Sequence, residues 1–401
     1  MNYCILNVGQ NFRLVGGSDR YMIELGKLLQ KHGHRVIPFA AKDMENLETE
    51  DDSYFPRGAD FTNPGLIDIL LYIYSLPAKS SIRKIIRDRK IDIAHLHIYY
   101  GKLTTSILSP LVDSNIPIVQ TCHDLKLLCP VSTLYRKGTI CEDCKGKKWY
   151  NAMLNKCNRG SVARSSLSML EAYFSNWNGS IDKINQFIAV SHFLKDKMIE
   201  HGIDKSKICV IHNYIDTNQL KVRSATGEYL LYFGRIERYK GIFTLLRAAK
   251  NAPEIRLIIA GRGSDFSKVK EYINTNALKN VDLIGFIQPE NLAPLIEGAI
   301  CTVCPSELHE TFGLSVIESF AYGKPVLASR IGGIPEIVDN GGTGFLFDAG
   351  NAADLKGLMK WMWMNRRKAK TMGICARKHV EKAFSPDAHY KKLMKIYSQY
   401  D

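Results

Sequence analysis

The chain has 401 residues, of which 45% are hydrophobic, 23% are charged and 10% are aromatic. This balance is typical of a folded globular protein and excludes a disordered or collagen-like chain. Lysine and arginine number 54 against 40 aspartate and glutamate, so the formal net charge is +14. Such a charge favours anionic partners, among them nucleotide phosphates and anionic membranes.

The first residues, MNYCILNVGQ, lack the basic region and cleavage site of a secretory signal, and no apolar run reaches the roughly 20 residues that cross a bilayer. We therefore expect a cytoplasmic protein. Residues 351–401 carry 12 basic and 4 acidic groups, which also suits peripheral attachment to the inner face of a membrane.

Apolar runs alternate with helix-length amphipathic stretches in the first half of the chain. Helices are predicted over residues 18–33 and 192–203. Strands are predicted over residues 3–8, 34–40, 91–97, 116–124, 181–191 and 207–213. This rhythm predicts parallel strands joined by helical crossovers, which is an α/β domain.

A polar stretch at 216–228 interrupts the rhythm, which then restarts. Further strands are predicted over residues 229–234, 255–261, 280–286, 299–305, 324–329 and 343–348. We therefore expect two Rossmann-like domains, residues 1–215 and 216–384. Ser385 as N-cap and Pro386 as first helical residue predict a terminal helix over 385–401, which we expect to pack back on the N-terminal domain.

Ligands of open α/β sheets bind beyond the carboxyl ends of the strands. Several predicted strands are followed there by glycine or by polar residues: Gly16-Gly17, His97, His123, Gly234-Arg235, Gly261 and residues 306–314. This recurrence in both halves predicts a cleft between two facing sheets.

The strongest local signal is residues 306–347, which place Glu310 and Glu318 eight residues apart around a loop-to-helix junction. The unpaired N–H groups of a helix start at residues 312–314 suit a diphosphate. Glu318 can accept hydrogen bonds from ribose hydroxyls, and Glu310 can accept them from a sugar. An ordinary surface carboxylate pair is the alternative, which the many glycines nearby disfavour.

This segment resembles the E-x7-E signature of retaining, family-four-type glycosyltransferases (glycosyl transferases group 1) of the polysaccharide-biosynthesis branch. Other motifs are similar in register: T-x-H-D at 121–124, IHNYID at 211–216, GRIERYKG at 234–241 and AGRG at 260–263. The resemblance covers essentially the whole chain. It implies the GT-B fold, with two Rossmann-like parallel-sheet domains across a cleft.

The resemblance also assigns roles. Glu310 and His123 are the expected catalytic residues, with His123 facing the donor sugar, although a structural role for His123 stays open. Arg235 and Lys240 match the family's basic pair on the donor diphosphate, so we expect no catalytic metal. The full set of expected donor-binding residues is Gly16, Gly17, Arg235, Lys240, Gly261, Glu310, Thr311, Phe312, Gly313, Leu314 and Glu318. A plain tight turn is the alternative for Gly16 and Gly17.

The implied activity is transfer of a hexose from a UDP- or GDP-sugar to a lipid-linked or saccharide acceptor, in bacterial cell-surface polysaccharide biosynthesis. A GT-B nucleotide-sugar epimerase is one alternative. A non-catalytic, basic, zinc-containing binding protein is another, but no stripe of basic and aromatic residues predicts a nucleic-acid partner.

Four cysteines, Cys129, Cys141, Cys144 and Cys157, cluster in a polar insertion at about residues 125–160. Four thiolates with one C-x-x-C spacing suit a structural zinc ion that closes the loop. Thiols that bind no metal, or that pair by oxidation, remain the alternative.

Overall fold

The structure is a computed structural model that describes residues 2–62, 64–218, 220 and 227–401. Most of the predicted polar connection at 216–228 therefore lies outside the described residues. The chain forms two compact units. The first comprises Met1–Leu134, Glu142–Ile211 and Tyr390–Asp401, and the second comprises Tyr135–Cys141 and His212–His389.

The first unit is built on a parallel six-stranded sheet. Its strands are β1 (Cys4–Val8), β2 (Arg35–Phe39), β3 (Ile93–Leu96), β4 (Ile118–Cys122), β7 (Gln186–Ala189) and β8 (Ile208–Val210), in the order β2-β1-β3-β4-β7-β8. Its helices are α1 (Gly17–Lys31), α2 (Leu66–Ile73), α3 (Leu76–Asp88), α4 (Leu108–Asp113), α5 (Tyr150–Leu154), α6 (Val162–Trp177) and α7 (His192–Glu200). All six strands predicted for this half are confirmed.

The second unit has its own parallel six-stranded sheet. Its strands are β9 (Tyr229–Phe233), β10 (Leu257–Ala260), β11 (Val281–Gly285), β12 (Ala299–Cys304), β13 (Val326–Ser329) and β14 (Gly344–Phe347), in the order β11-β10-β9-β12-β13-β14. Its helices are α8 (Ile242–Lys250), α9 (Phe266–Thr275), α10 (Pro289–Glu297), α11 (Leu314–Ala321), α12 (Ala352–Met364) and α13 (Arg366–Ala383). A short hairpin of β5 (Tyr135–Arg136) and β6 (Thr139–Ile140) groups with this unit.

Alternate residues of the second sheet enter different apolar clusters, because successive side chains of a strand point to opposite faces. Leu230 and Tyr232 pack into a cluster with residues of α8, α9 and α12. Leu231, between them, packs with Ile296 of α10 instead. The sheet is thus covered on both faces, which explains why its strands are apolar throughout.

The last helix, α14 (Pro386–Tyr397), begins where predicted: the Ser385 hydroxyl accepts a hydrogen bond from Ala388 N at 3.3 Å. The division between the units falls within it, after His389. In the first unit, the buried Tyr397 hydroxyl lies 2.6 Å from His95 Nδ1, which anchors the chain end. None of the described helices is both long and apolar enough to cross a membrane.

Each sheet has one point where the strand order reverses. In the second unit β9 lies between β10 and β12, and in the first unit β1 lies between β2 and β3. Segments that follow the two strands at such a point diverge and leave a crevice at the carboxyl edge. Residues 234–241 and 305–313 occupy this place in the second unit.

Candidate functional site

The centre of the site in the second unit is an ion pair between the segments that follow β9 and β12. Lys240 Nζ lies 2.5 Å from Glu310 Oε1, and the Ser306 hydroxyl donates to the same oxygen at 2.5 Å. The Lys240 and Glu310 side chains are only 18% and 17% exposed, so their attraction is stronger than that of a surface pair. The pair ties the two segments together.

Opposing effects act on the pKa of Glu310. Burial tends to raise it, but the charge and hydrogen bond of Lys240, the Ser306 hydroxyl and the charge of Arg235 together lower it below 4.5. Glu310 is therefore a carboxylate at neutral pH. It is an acceptor of hydrogen bonds and carries the negative charge that holds Lys240 in place.

This lowered pKa predicts a specific acid sensitivity. Because the pKa of Glu310 is lower in the folded chain than its ordinary 4.5, its stabilisation is present above about pH 4.5 and lost as pH falls through the folded value. We expect the difference in unfolding free energy between wild type and Glu310→Gln to shrink on acidification below about pH 4.5. Urea denaturation across this range measures it. A difference that does not change with pH would contradict the assignment.

Two glycines bring main chain against Glu310. Gly332 has φ +61°, and a Cβ there would lie 2.2 Å from Glu310 O. The next residue, Gly333, donates its N–H to the same carbonyl at 2.8 Å. The loop that carries Glu310 is thus held from its main-chain side by a segment that tolerates no side chain at position 332.

Gly332→Ala is expected to destabilise the second unit more than Gly350→Ala. Both glycines have positive φ, +61° and +80°, but a Cβ at Gly350 meets open space. Gly350→Ala should therefore lower the free energy of unfolding by only about 1–2 kcal/mol, the cost of a positive φ for alanine. Gly332→Ala adds to this cost a steric clash of about 1–3 kcal/mol. Thermal unfolding measures both, and equal midpoints would contradict the close approach.

Helix α11 begins at Gly313 without a side-chain cap, and φ there is +129°. Phe312 before it is buried, at 2% exposure, which fixes the entry of the chain. The early N–H groups and the positive end of the helix dipole make this start suitable for an anion. Leu314 and Glu318, four residues apart, lie on the same half-exposed face of the helix. Thr311 is half-buried just before it.

The remaining predicted donor residues of this unit follow β9 and β10. Arg235 is exposed, its guanidinium lies 6.0 Å from the Tyr239 ring centre, and its charge acts on Glu310. Gly261 has φ +150°, and a Cβ there would lie 1.8 Å from Gly234 O. Lys240 thus contacts the Glu310 carboxylate directly, and Arg235 acts on it through its charge. Gly261 brings the turn after β10 against Gly234.

In the first unit, the strand ends bring three histidines together. His97 follows β3 and His123 follows β4, and His97 Nδ1 lies 3.2 Å from His123 Nε2. His95 stacks on His97 with ring centres 4.6 Å apart, and Tyr21 packs edge-on against His123 at 4.7 Å. His97 is buried at 2% exposure, whereas His123 is half-buried.

Hydrogen bonds determine which nitrogen of each ring carries the proton. Asn7 Nδ2 donates to the Met22 carbonyl at 3.0 Å, so Asn7 Oδ1 is the atom that faces His97 Nε2 at 2.8 Å. An amide oxygen only accepts, and therefore His97 Nε2 carries a proton. Burial, followed by the charges of His95 and His123, lowers the pKa of His97 well below 6.5, so the ring is neutral and its Nδ1 accepts. His123 Nε2 is then the donor, and neutral His123 has its lone pair on Nδ1.

Gly16 and Gly17 lie at the start of α1. Gly16 is the N-cap, with an extended φ of −155° that any residue can adopt, and its N–H donates to Asp19 Oδ2 at 3.1 Å. Gly17 is the first helical residue. What Gly16 offers a ligand is therefore the lack of a side chain rather than a special backbone conformation.

The four clustered cysteines do not share one unit. Cys129, Cys144 and Cys157 belong to the first, and Cys141 belongs to the segment that groups with the second. Cys144 is buried with Trp149 and Ala152, and Cys157 packs against this cluster. Within the described part of the first unit, the three thiols do not form a group whose sulfur atoms all lie within 4.8 Å of one another. These three sulfur atoms therefore do not converge on one point in this arrangement, and the zinc ion stays a prediction from the sequence.

Sequence reasoning missed Asn7, and it missed the contacts of Ser306 and His97, which it had placed at the ends of strands. Ser306 bonds Glu310, but a serine at that point of a loop has no signal of its own. Asn7 lies inside an apolar strand, where its polarity was the available signal. His97 was noted as a strand-end residue, but its link to His123 depends on β3 and β4 being neighbours in the sheet.

Comparisons with known proteins identify the family and the fold. Residues 15–219 match the family described as Glycosyltransferase Family 4, and residues 216–379 match Glycosyl transferases group 1.

An uncharacterized glycosyltransferase of Methanocaldococcus jannaschii is 28% identical over 227 residues, which are 57% of this chain and 62% of that protein. The N-acetyl-alpha-D-glucosaminyl L-malate synthase of Bacillus anthracis is 23% identical over 96% of this chain and 93% of its own length. The crystal structure of Anabaena HepE in complex with UDP-glucose superposes with TM-score 0.71 at 17% identity, covering 99% of this chain and 100% of HepE.

Proposed function

The chain belongs to Glycosyltransferase Family 4 and has the GT-B fold, and from this we propose that it is a retaining hexosyltransferase that uses a nucleoside diphosphate sugar. The observation that carries the proposal is the Lys240–Glu310 pair at the strand-order reversal of the second unit. It sets a cation and a hydrogen-bonding carboxylate beside an uncapped helix start. UDP-glucose in HepE supports a UDP-sugar, although a GDP-sugar fits the same chemistry.

In the proposed reaction the bond between the sugar C1 and the diphosphate oxygen breaks. A bond from C1 to the acceptor oxygen forms on the same face, and the acceptor proton passes to the departing phosphate. Arg235, Lys240 and the start of α11 stabilise the charge that grows on the leaving group. Glu310 accepts hydrogen bonds from sugar hydroxyls, and Glu318 from the ribose. Because these cations supply the positive charge, we propose that the reaction requires no metal.

We propose that His123 faces the donor sugar, with its Nδ1 as an acceptor of a hydrogen bond. The acceptor substrate is proposed to be a lipid-linked or saccharide hydroxyl, as in cell-surface polysaccharide synthesis. The Bacillus anthracis relative is named for a product in which N-acetylglucosamine is joined to malate. Malate carries a hydroxyl group, and this name therefore supports a hydroxyl acceptor in general.

The experiment that tests this proposal is a thermal-shift panel of nucleotide sugars followed by product analysis. A bound donor stabilises the folded state by mass action, so one donor should raise the unfolding temperature more than the others. Incubation with that donor and a lipid-linked saccharide should give a product in which the transferred sugar keeps the anomeric configuration, α or β, that it has in the donor. An inverted linkage, or epimerised sugar without transfer, would overturn the proposal.

We also propose that zinc binding gathers the clustered cysteines. It requires a third thiol to approach Cys144 and Cys157, which already share one apolar cluster. Metal analysis of the purified protein is expected to give about one equivalent of zinc, lost in Cys144→Ser but retained in Cys375→Ser, where the thiol is exposed. A zinc content below about a tenth of an equivalent would contradict the proposed zinc site.

A further inference from the structure

Helix α2 buries Leu71 but exposes four other apolar residues, and it buries its one acidic residue. Leu66, Ile67 and Leu70 are 82%, 62% and 67% exposed, whereas Asp68 is only 6% exposed. The Asp68 carboxylate accepts hydrogen bonds from the N–H groups of Asp60 and Gly65 at 3.1 and 3.0 Å. The orientation of the helix is thus fixed by its carboxylate, and Leu66 and Leu70 are held towards the outside.

The apolar surface continues onto α6, against which α2 packs. Trp177 is 81% exposed, and Leu170 and Tyr173 are exposed on the same helix face. The Phe174 ring lies 5.7 Å from Trp177 and 5.6 Å from Tyr74, the residue that follows α2. A contiguous exposed apolar surface of this kind marks an interaction site rather than chance exposure.

Cations border this surface on the side of α5, which also packs on α6. Residues 145–164 contain six basic residues and no acidic ones. All six are exposed. Lys145 pairs with Glu200, and the other five, Lys147, Lys148, Lys156, Arg159 and Arg164, follow one another around α5 and the start of α6. This surface thus combines exposed leucines, an exposed tryptophan and many cations. These are the features of a protein surface that lies in the headgroup region of an anionic bilayer.

We propose that this α2–α6 face, formed by α2, α5 and α6, docks the first unit onto an anionic membrane. Leu66, Ile67, Leu70 and Trp177 enter the headgroup–acyl boundary, and the cations of residues 147–164 contact lipid phosphates. The inference concerns a surface apart from the sugar-transfer residues and does not depend on the proposed reaction.

Two other occupants fit less well. A second copy of the chain in a two-fold dimer would set the same cations against themselves, which is repulsive. A protein partner is disfavoured because lysine is depleted from protein interfaces, whereas lysine supplies four of the six exposed cations of residues 145–164.

The test is co-sedimentation with vesicles of phosphatidylcholine alone and with equal parts of phosphatidylcholine and phosphatidylglycerol. We expect binding to the anionic vesicles only. The apolar variant Leu66→Ser/Leu70→Ser and the charge variant Lys156→Gln/Arg159→Gln/Arg164→Gln should each lower the partition coefficient by about tenfold or more. All substituted side chains are exposed, so the unfolding temperature should not change.

Matched controls come from the second unit. Met364→Ser/Ile374→Ser removes two exposed apolar side chains, and Arg367→Gln/Lys368→Gln/Lys378→Gln removes three exposed cations of the basic C-terminal region. Neither should alter vesicle binding. Fluorescence quenching by brominated lipid should be lost in Trp177→Phe. Equal partitioning of the variants and wild type would overturn the proposal, as would light scattering that shows a dimer dissociated by the apolar variant.

Discussion

Lys240→Met is expected to reduce the rate of sugar transfer by about 10²–10³-fold, the usual effect of losing one charge-stabilising donor. Lys240 Nζ is the partner of Glu310, and in the proposed reaction it is also a cation that stabilises the departing diphosphate. Replacing it with an apolar chain of similar length removes that cation without opening a cavity. Initial rates with saturating donor measure the effect, and near-wild-type turnover would contradict the assignment.

The same substitution should also destabilise the second unit, because it leaves the Glu310 carboxylate without its cation. Breaking a largely buried ion pair on one side costs about 3–5 kcal/mol. Lys240→Met/Glu310→Gln should recover much of this stability, since the remaining amide is neutral, but it should not recover activity. A rescue of stability without a rescue of rate separates the catalytic effect from a folding effect.

The surface pair Lys360–Glu254 provides the matched control. Its atoms are 3.2 Å apart in the same unit, but both side chains are more than 40% exposed. Lys360→Met should therefore leave the unfolding free energy and the rate of transfer nearly unchanged, because solvent screens an exposed pair. Equal effects of Lys240→Met and Lys360→Met would show that the burial of the first pair has no special consequence.

The strands could be predicted from sequence because buried parallel strands are apolar throughout, as in IRLIIA and AICTVC. The position of Glu310 could be predicted because it follows such a strand. Its contacts could not: Ser306 and Gly332 reach it through loop geometry that no periodicity encodes. The hairpin β5–β6 has two residues in each strand, too few for an alternating pattern. The orientation of α2 was equally hidden, because its pattern does not show that the hydrogen bonds of Asp68 turn Leu66 and Leu70 outward.

The second large expected effect is at His123. His123→Ala should lower kcat by about 10²–10³-fold, in the range for removal of a group that assists the transition state. The KM for the donor should change little, because the cations and carboxylates assigned to the donor lie in the second unit. A variant that weakens donor binding but retains kcat would show that His123 contributes to binding alone.

The hydrogen-bonded chain from Asn7 through His97 fixes the proton of His123 on Nε2. The role proposed for His123 therefore depends on His97 as well. His97→Leu removes the acceptor of this proton and so allows both tautomers. We expect kcat to fall by about tenfold, with a second set of His123 side-chain nitrogen signals in ¹⁵N NMR. His34→Gln is the control, since His34 is a buried histidine of the same unit that bonds Tyr390 instead. It should lower stability without changing the His123 signals. If His97→Leu keeps a single Nε2-protonated His123 and wild-type kcat, the chain from Asn7 does not position the ring, and burial against Tyr21 must suffice to do so.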